Sequence, residues 1–352
     1  LPLSPGSDVA LINGMIHILI NEGLIDRDFI YSNTEGFEEL EKTVQEYLPE
    51  RVSQICRIPP SIIREAALVY GGADAALTLW AMGLNQSRQG TDKNNAVINL
   101  SLVTGNIGRP GAGPFSLTGQ ANAMGGRETG GLANLLPGHR YTENPSHRQE
   151  VAAVWGCGEI SDTKGLTAVE LFDAVHRGII KAVWIICTNP VVSLPNGSKF
   201  EEALNRAELV IVQDLYSPTD TALFADVLLP AAGFGEKEGT MTNSERRISY
   251  IAKAVNPPGE SLPDWEILTR FAHKMGFAEF FPYEKAEDVF EEYKQLTRGR
   301  DMDITGITYQ RLQTEGPIQW PCPAETHPGT PRLYAEGKFH TESGKARFIP
   351  VR

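Results

Sequence analysis

Residues 80–131, WAMGLNQSRQGTDKNNAVINLSLVTGNIGRPGAGPFSLTGQANAMGGRETGG, decide how the rest of the chain is read. An apolar run from Leu77 to Met82 ends at Gly83 and a polar cluster, Asn85, Gln86 and Arg88. The spacing of Val97, Ile98, Leu100, Leu102 and Val103 predicts a mostly buried helix over 94–104, closing at Gly105. Backbone with few side chains follows: Gly108, Pro110, Gly111, Gly113, Pro114, Gly119, Gly125 and Gly126. Glycine lets another backbone or a large ligand approach closely. A long, nearly uncharged loop rich in Gly, Gln and Asn either connects two domains irregularly or lines something.

Working outward, the chain has 352 residues, enough for two or three domains. Its apolar and charged fractions are those of an ordinary globular protein. No run of 18 apolar residues is present, so no membrane-spanning helix is predicted. A net charge of −12 without a basic cluster excludes a nucleic-acid surface. An anionic dinucleotide is still allowed, since backbone N–H groups and helix N-termini act locally. Cys56, Cys157, Cys187 and Cys322 form no CxxC pair, and the histidines show no ligand spacing, so no metal ligand is assigned. The abrupt start, LPLSPGSD, and abrupt end, FIPVR, suggest an internal piece of a larger protein.

Before the deciding stretch, Ser7 or Asp8 caps a predicted helix running to Gly23. Helical segments are expected near 38–48 and from Pro60 to Tyr70, and a strand at 75–81 delivers Met82–Gln86 at its C-terminal end. A short helix is expected at 147–155. From Thr167 the pattern turns α/β: helix 168–177, strand AVWIIC, helix 200–206, strand LVIVQD and strand DVLLP. No GxGxxG follows any strand, so the usual NAD fingerprint is missing. Asn189 and the pair Gln213–Asp214 stand at strand ends, where a nucleotide would be read or where a turn would be capped. GFGEKEGTMTNSERR, with Lys237, reads by itself as a surface loop. Asp264 is an N-cap by residue type for a helix to Met275, and 287–296 is another helix. The Pro- and Gly-rich tail reads as an extended segment returning to an earlier domain, with an edge strand within 345–351.

MGxNQ, a helix, LVTGNIGRPGxGPFSLTGQ, AMGGRE and GEKEGTxTNxERR, in that order, closely resemble the molybdopterin oxidoreductases that carry a Mo-bis(molybdopterin guanine dinucleotide) centre. Within that group the chain is most similar to bacterial assimilatory nitrate reductases, and the likeness runs from Pro5 to the last residue. The resemblance implies two Rossmann-like parallel-sheet α/β domains of the DMSO reductase-like fold, incomplete at both ends. The expected divisions are 1–117, 118–290 and an extended segment 291–352, which returns to an N-terminal domain and leads to a C-terminal one, both outside this chain.

By the same resemblance, Gly6, Ser7 and Asp8 meet one guanosine end of the cofactor, and Asn189, Gln213 and Asp214 the other. Met82, Gly83, Gln86, Gln120, Lys237 and Asp264 are further cofactor contacts, and Arg127 is the catalytic, nitrate-orienting residue. The implied reaction is nitrate reduction to nitrite in the cytoplasm. A [4Fe–4S] cluster and the molybdenum ligand are expected before Leu1, so this piece alone is expected to be inactive. Electrons would come from ferredoxin, flavodoxin or an NADH-dependent reductase subunit. The alternatives are a formate dehydrogenase or periplasmic-type nitrate reductase, or an electron-transfer scaffold of the same fold without cofactor.

Overall fold

A computed structural model describes residues 2–352. The chain divides into two compact units: one holds the residues up to Gln120 together with Thr330–Arg352, the other Ala121–Gly329.

In the first unit the helix Asp8–Asn21 is the hub. It packs against the helices Pro49–Cys56, Pro60–Gly72 and Gly90–Val103. Ile16, Leu19, Val52, Ile63 and Leu102 of these helices are fully buried in their shared core. The helix expected near 38–48 covers only Phe37–Val44, and a separate helix starts at Pro49, which the sequence reading missed. Proline explains the break: it forces Leu48 into an extended conformation (ψ 146°) and then opens a new helix at its first turn. Strand Leu77–Trp80 pairs in parallel with Gly113–Ser116, so both flanks of the 90–103 helix belong to one small sheet. The tail returns to this unit. Asn13 Nδ2 donates to the Val351 carbonyl (2.8 Å), Asn99 Nδ2 donates to the Ile349 carbonyl (2.8 Å), and Ala346–Arg347 pairs with Thr34–Glu35.

The second unit is built on a three-stranded parallel sheet, Ala182–Ile186, Leu209–Asp214 and Val227–Pro230, with 209–214 in the middle. Helices Ala168–His176 and Gly197–Arg206 cover one face, and Phe172, Val175, Val183, Ile185, Phe200 and Val212 fill the core beneath them. Trp184 alternates to the opposite face, where its ring meets Phe271 of the helix Asp264–Lys274 at 4.9 Å. The two cores together therefore give the parallel α/β architecture expected from the sequence. One expectation fails: the stretch after Gly233 is not a plain surface loop. After a short turn with Lys237 it forms a hairpin, Gly239–Thr242 against Arg247–Ile251, extended by Ile318–Gln319. Its strands are short: GTMT carries Gly and Thr without an apolar alternation, and only RISYI alternates, over too few residues to mark a hairpin.

Candidate functional site

The carboxyl edge of the second unit's sheet gathers polar side chains from four separate segments. Gln213, at the end of the central strand, is fully buried and donates through Nε2 to Asp264 Oδ1 at 2.8 Å. Lys237 pairs with the other oxygen of Asp264. The Cys187 thiol, just past the 182–186 strand, lies 3.5 Å from Asp264 Oδ1. Asp264 reaches this edge because Ala231, continuing the 227–230 strand, bridges Leu262, and Ala232 N–H donates to the Leu262 carbonyl. Asp264 was expected to be a helix N-cap; Pro263 occupies that position, and the carboxylate turns into the cluster. Burial by itself raises the Asp264 carboxyl, but the hydrogen bonds from Lys237 and Gln213 outweigh it and hold it below its ordinary value. The Cys187 thiol is pushed up to about 11, first by burial and then by the Asp264 charge, so it stays protonated at neutral pH.

Gln213 has one further property. Its Oε1 is buried and has no hydrogen-bond partner among the described residues. A buried amide oxygen left unmatched costs free energy unless something donates to it. Asn189 sits beside this edge but is spent on its own turn: Oδ1 accepts from Thr221 Oγ1 (2.6 Å) and Nδ2 donates to Asp220 (3.1 Å). Asp214 likewise caps its own turn, accepting from the Leu215 N–H at 2.7 Å.

In the first unit, Asp8 is the first residue of the hub helix, and its Oδ2 pairs with Lys93 Nζ at 2.8 Å. Lys93 is 8% exposed and was not singled out in the sequence, because a lysine in an otherwise apolar helix pattern reads as a surface residue. Ser7 is buried at the cap position, but its hydroxyl donates to the Ser4 carbonyl (2.6 Å) and does not cap the helix; Gly6 takes a positive φ of 84° in the preceding turn. Met82 and Gly83 lie on a one-turn helix, Met82–Asn85, directly after strand 77–80, and Gln86 follows it, exposed. Trp80 holds this turn: its Nε1 donates to Asn85 Oδ1 (3.0 Å) and Asn94 Oδ1 (2.8 Å). Gly90 is required here, since a Cβ would come within 2.3 Å of the Asn85 carbonyl oxygen. Gln120 is exposed and joins no cluster.

Arg127 lies on a short helix, Ala123–Glu128, of the second unit. It is exposed and forms no ion pair or side-chain hydrogen bond among the described residues. Its neighbour Glu128 is 1% exposed and accepts from Trp320 Nε1 (2.6 Å) and Thr242 Oγ1 (2.9 Å). Burial raises the Glu128 carboxyl above its ordinary value, against the pull of those two donors. Among the described residues, no group of three or more His, Cys, Asp or Glu side chains is placed to hold a metal ion.

In open parallel α/β sheets ligands bind outside the carboxyl ends of the strands, so the fold defines an α/β protein whose candidate site is this edge. Comparison with known proteins makes this particular. Residues 1–274 match the family model described as molybdopterin oxidoreductase, and the chain belongs to that family of molybdenum–pterin enzymes. It is 47% identical to a nitrate reductase of Synechocystis, over 99% of this chain and 50% of that protein. It is 42% identical to the alpha subunit of an F420-dependent formate dehydrogenase of Methanocaldococcus jannaschii, over 100% of this chain and 50% of that one. The assimilatory nitrate reductase catalytic subunit of Bacillus subtilis is 40% identical, over 98% and 49%. The chain thus spans about half the length of the curated relatives it matches. Acetylene hydratase from Pelobacter acetylenicus shares the fold, with a TM-score of 0.71 at 23% identity over 99% of this chain and 48% of that one.

Proposed function

We propose that this chain is part of the catalytic subunit of a nitrate reductase and binds a Mo-bis(molybdopterin guanine dinucleotide) cofactor. The residues of the strand-edge cluster fit such a group. Gln213 Oε1 is an orphaned buried acceptor beside Asp264, and a guanine N–H is a donor of the kind it lacks. Asp8, with Gly6 and Ser7, would hold one nucleotide end; Gln213, Asp214, Asn189, Lys237 and Asp264 would hold the other. Met82, Gly83, Gln86 and Gln120 would face the body of the cofactor. When bound, the molybdenum centre supplies oxygen-atom-transfer chemistry; the chain supplies binding, orientation and electrostatics.

The observation that carries the nitrate reading is Arg127, an exposed guanidinium without a side-chain partner among the described residues, on a short glycine-containing helix rather than the loop expected from the sequence. Nitrate is a planar anion, and guanidinium can donate two parallel hydrogen bonds to two of its oxygens. Reduction takes two electrons and two protons per nitrate and releases nitrite and water. The electrons would come through a [4Fe–4S] cluster elsewhere in the full-length protein, from ferredoxin, flavodoxin or an NADH-dependent reductase subunit. The assimilatory role, and with it a cytoplasmic location, are part of the same reading. No helix among the described residues is long and apolar enough to cross a membrane.

The formate dehydrogenase relative keeps a second reading open, since formate is also a small planar anion. Assays of the full-length protein with nitrate and with formate separate the two. Arg127→Ala is expected to leave molybdenum content unchanged and to lower kcat/KM for nitrate, with Arg127→Lys recovering part of the loss. Wild-type kcat/KM in a fully loaded Arg127→Ala enzyme would return Arg127 to an ordinary surface residue.

A further inference from the structure

The short helix that carries Arg127 is held from below at three points. Asn122, at its N-terminal flank, accepts through Oδ1 from the Thr242 N–H at 2.8 Å. Glu128, its last residue, accepts from the hydroxyl of the same Thr242 and from the Trp320 indole. The Glu128 backbone carbonyl accepts from the Gly138 N–H at 2.8 Å. Thr242 ends a hairpin strand, and Trp320 is itself packed between His139 (ring centroids 6.1 Å apart) and the Arg246 guanidinium, 5.2 Å from its ring centre. The anchor is therefore hydrogen-bonded and packed on both the strand and the indole side.

A carboxylate is an expensive residue for this task, because burying a charge against two neutral donors costs more than burying an amide that makes the same bonds. It has a second consequence. Glu128 is the one acid between Ala121 and Leu136, so it is the nearest local counter-charge Arg127 could find. Both of its oxygens are committed to Trp320 and Thr242, on the buried side of the helix, while Arg127 points to the exposed side. The same contacts that fix the helix keep the guanidinium from being neutralised by its neighbour.

We infer that Glu128 is the positioning residue for Arg127: it fixes the backbone that presents the guanidinium and leaves its donors unsatisfied for an anionic substrate. The inference rests on the reading of Arg127 as the anion-binding side chain. It is tested in the full-length, cofactor-loaded enzyme with Glu128→Gln, Glu128→Leu, Arg127→Ala and the double variant Arg127→Ala/Glu128→Leu. Nitrate kinetics and hydrogen exchange of peptides covering 123–131 are the readouts. Glu128→Gln keeps an acceptor for Trp320 and a donor for Thr242, so both readouts stay near wild type. Glu128→Leu raises exchange over 123–131 and raises KM for nitrate about tenfold, with a smaller change in kcat, at equal molybdenum content. In the Arg127→Ala background the same change adds less than about threefold, because the residue it positions is gone.

Additive losses, or an unchanged KM in Glu128→Leu beside a strongly impaired Arg127→Ala, overturn the positioning role. A neutral Arg127→Ala together with loosened exchange in Glu128→Leu overturns the reading of Arg127 instead. Should Glu128→Leu fail to fold, Thr242→Val decides in its place. It removes one donor, keeps the backbone bond to Asn122, and is expected to shift exchange and KM the same way by a smaller factor; no shift in either overturns the inference.

Discussion

Removing the Asp264 carboxylate is the sharpest test of the strand-edge cluster. In Asp264→Ala the buried Gln213 amide loses the acceptor of its Nε2, and with Oε1 already unmatched the whole side-chain amide is then stranded. A buried polar group left in this state costs about 1–3 kcal/mol. The Lys237 pair adds less. Both side chains are 29% exposed, and a partly solvated ion pair contributes about 1 kcal/mol. The Cys187 thiol is a weak donor at 3.5 Å and is neglected. The expected loss is therefore about 2–4 kcal/mol without cofactor, and about 1 kcal/mol for Asp264→Asn, which keeps an acceptor for Gln213.

Gln213→Leu provides the control. It replaces an amide with one unmet valence by an apolar group of similar size, so it is neutral or stabilising without cofactor. Combined with Asp264→Ala, it removes most of that variant's cost. The assay is native-state hydrogen exchange of the 209–214 amides, backed by urea denaturation of the full-length protein. The reasoning is refuted if the two losses add, or if Gln213→Leu alone costs more than about 2 kcal/mol. The same Gln213→Leu protein is expected to bind less molybdenum cofactor despite its undiminished stability, which separates a reader of ligand from a member of the core.

Lys93→Met keeps the stem in the helix contact but strips the ammonium from Asp8, whose side chain is 22% exposed; it is expected to cost about 1–3 kcal/mol by urea denaturation, and Asp8→Asn in the same chain should restore part of it. The His139–Asp301 pair gives a pH signature. The hydrogen bond to Asp301 raises His139 above its ordinary 6.5, so the pair's contribution is complete below pH 6.5 and is lost as pH rises through the raised value. Thermal denaturation should show that decline above pH 6.5, and Asp301→Asn should flatten it.

The three strands of the second unit's parallel sheet and the 77–80 strand of the first were legible because they are apolar runs closed by polar residues, AVWIIC and LVIVQD most plainly, whereas the partner strand Gly113–Ser116 was read as loop because Gly113 and Pro114 carry no strand signal. Helix 90–103 was legible from its crowded apolar face, though its start was read four residues late because Gly90 and Thr91 carry no helical signal. The 49–56 helix and the hairpin after Lys237 were not legible as such. Proline hid the first, and the short strands of the second need Ile318–Gln319, distant in sequence, to complete the sheet. Among the candidate residues, Gln213, Lys237 and Asp264 were named separately, and only the fold joins them. Lys93 and Glu128 were not assigned roles, because the partners that give them one are 85 and 114–192 positions away in the chain.

The two units use one device twice. In each, an acid stands at the first position of a helix, Asp8 in 8–21 and Asp264 in 264–274, and in neither does it cap that helix. Each is instead held by a lysine from another element, Lys93 or Lys237. A capping carboxylate would spend its oxygens on the N–H groups of its own first turn. Turned outward and gripped by an ammonium, it is oriented, charged and placed near the positive end of a helix dipole, where an ionised acid is favoured. For Asp8 the grip uses Oδ2 and leaves Oδ1 without a partner among the described residues; for Asp264 the oxygens are taken, and the unmet acceptor is passed to Gln213. Each unit thus holds, beside its helix-start acid, an acceptor that no group among the described residues satisfies. On the proposed reading, a nucleotide end offering ring N–H donors is the kind of group that either acceptor would match.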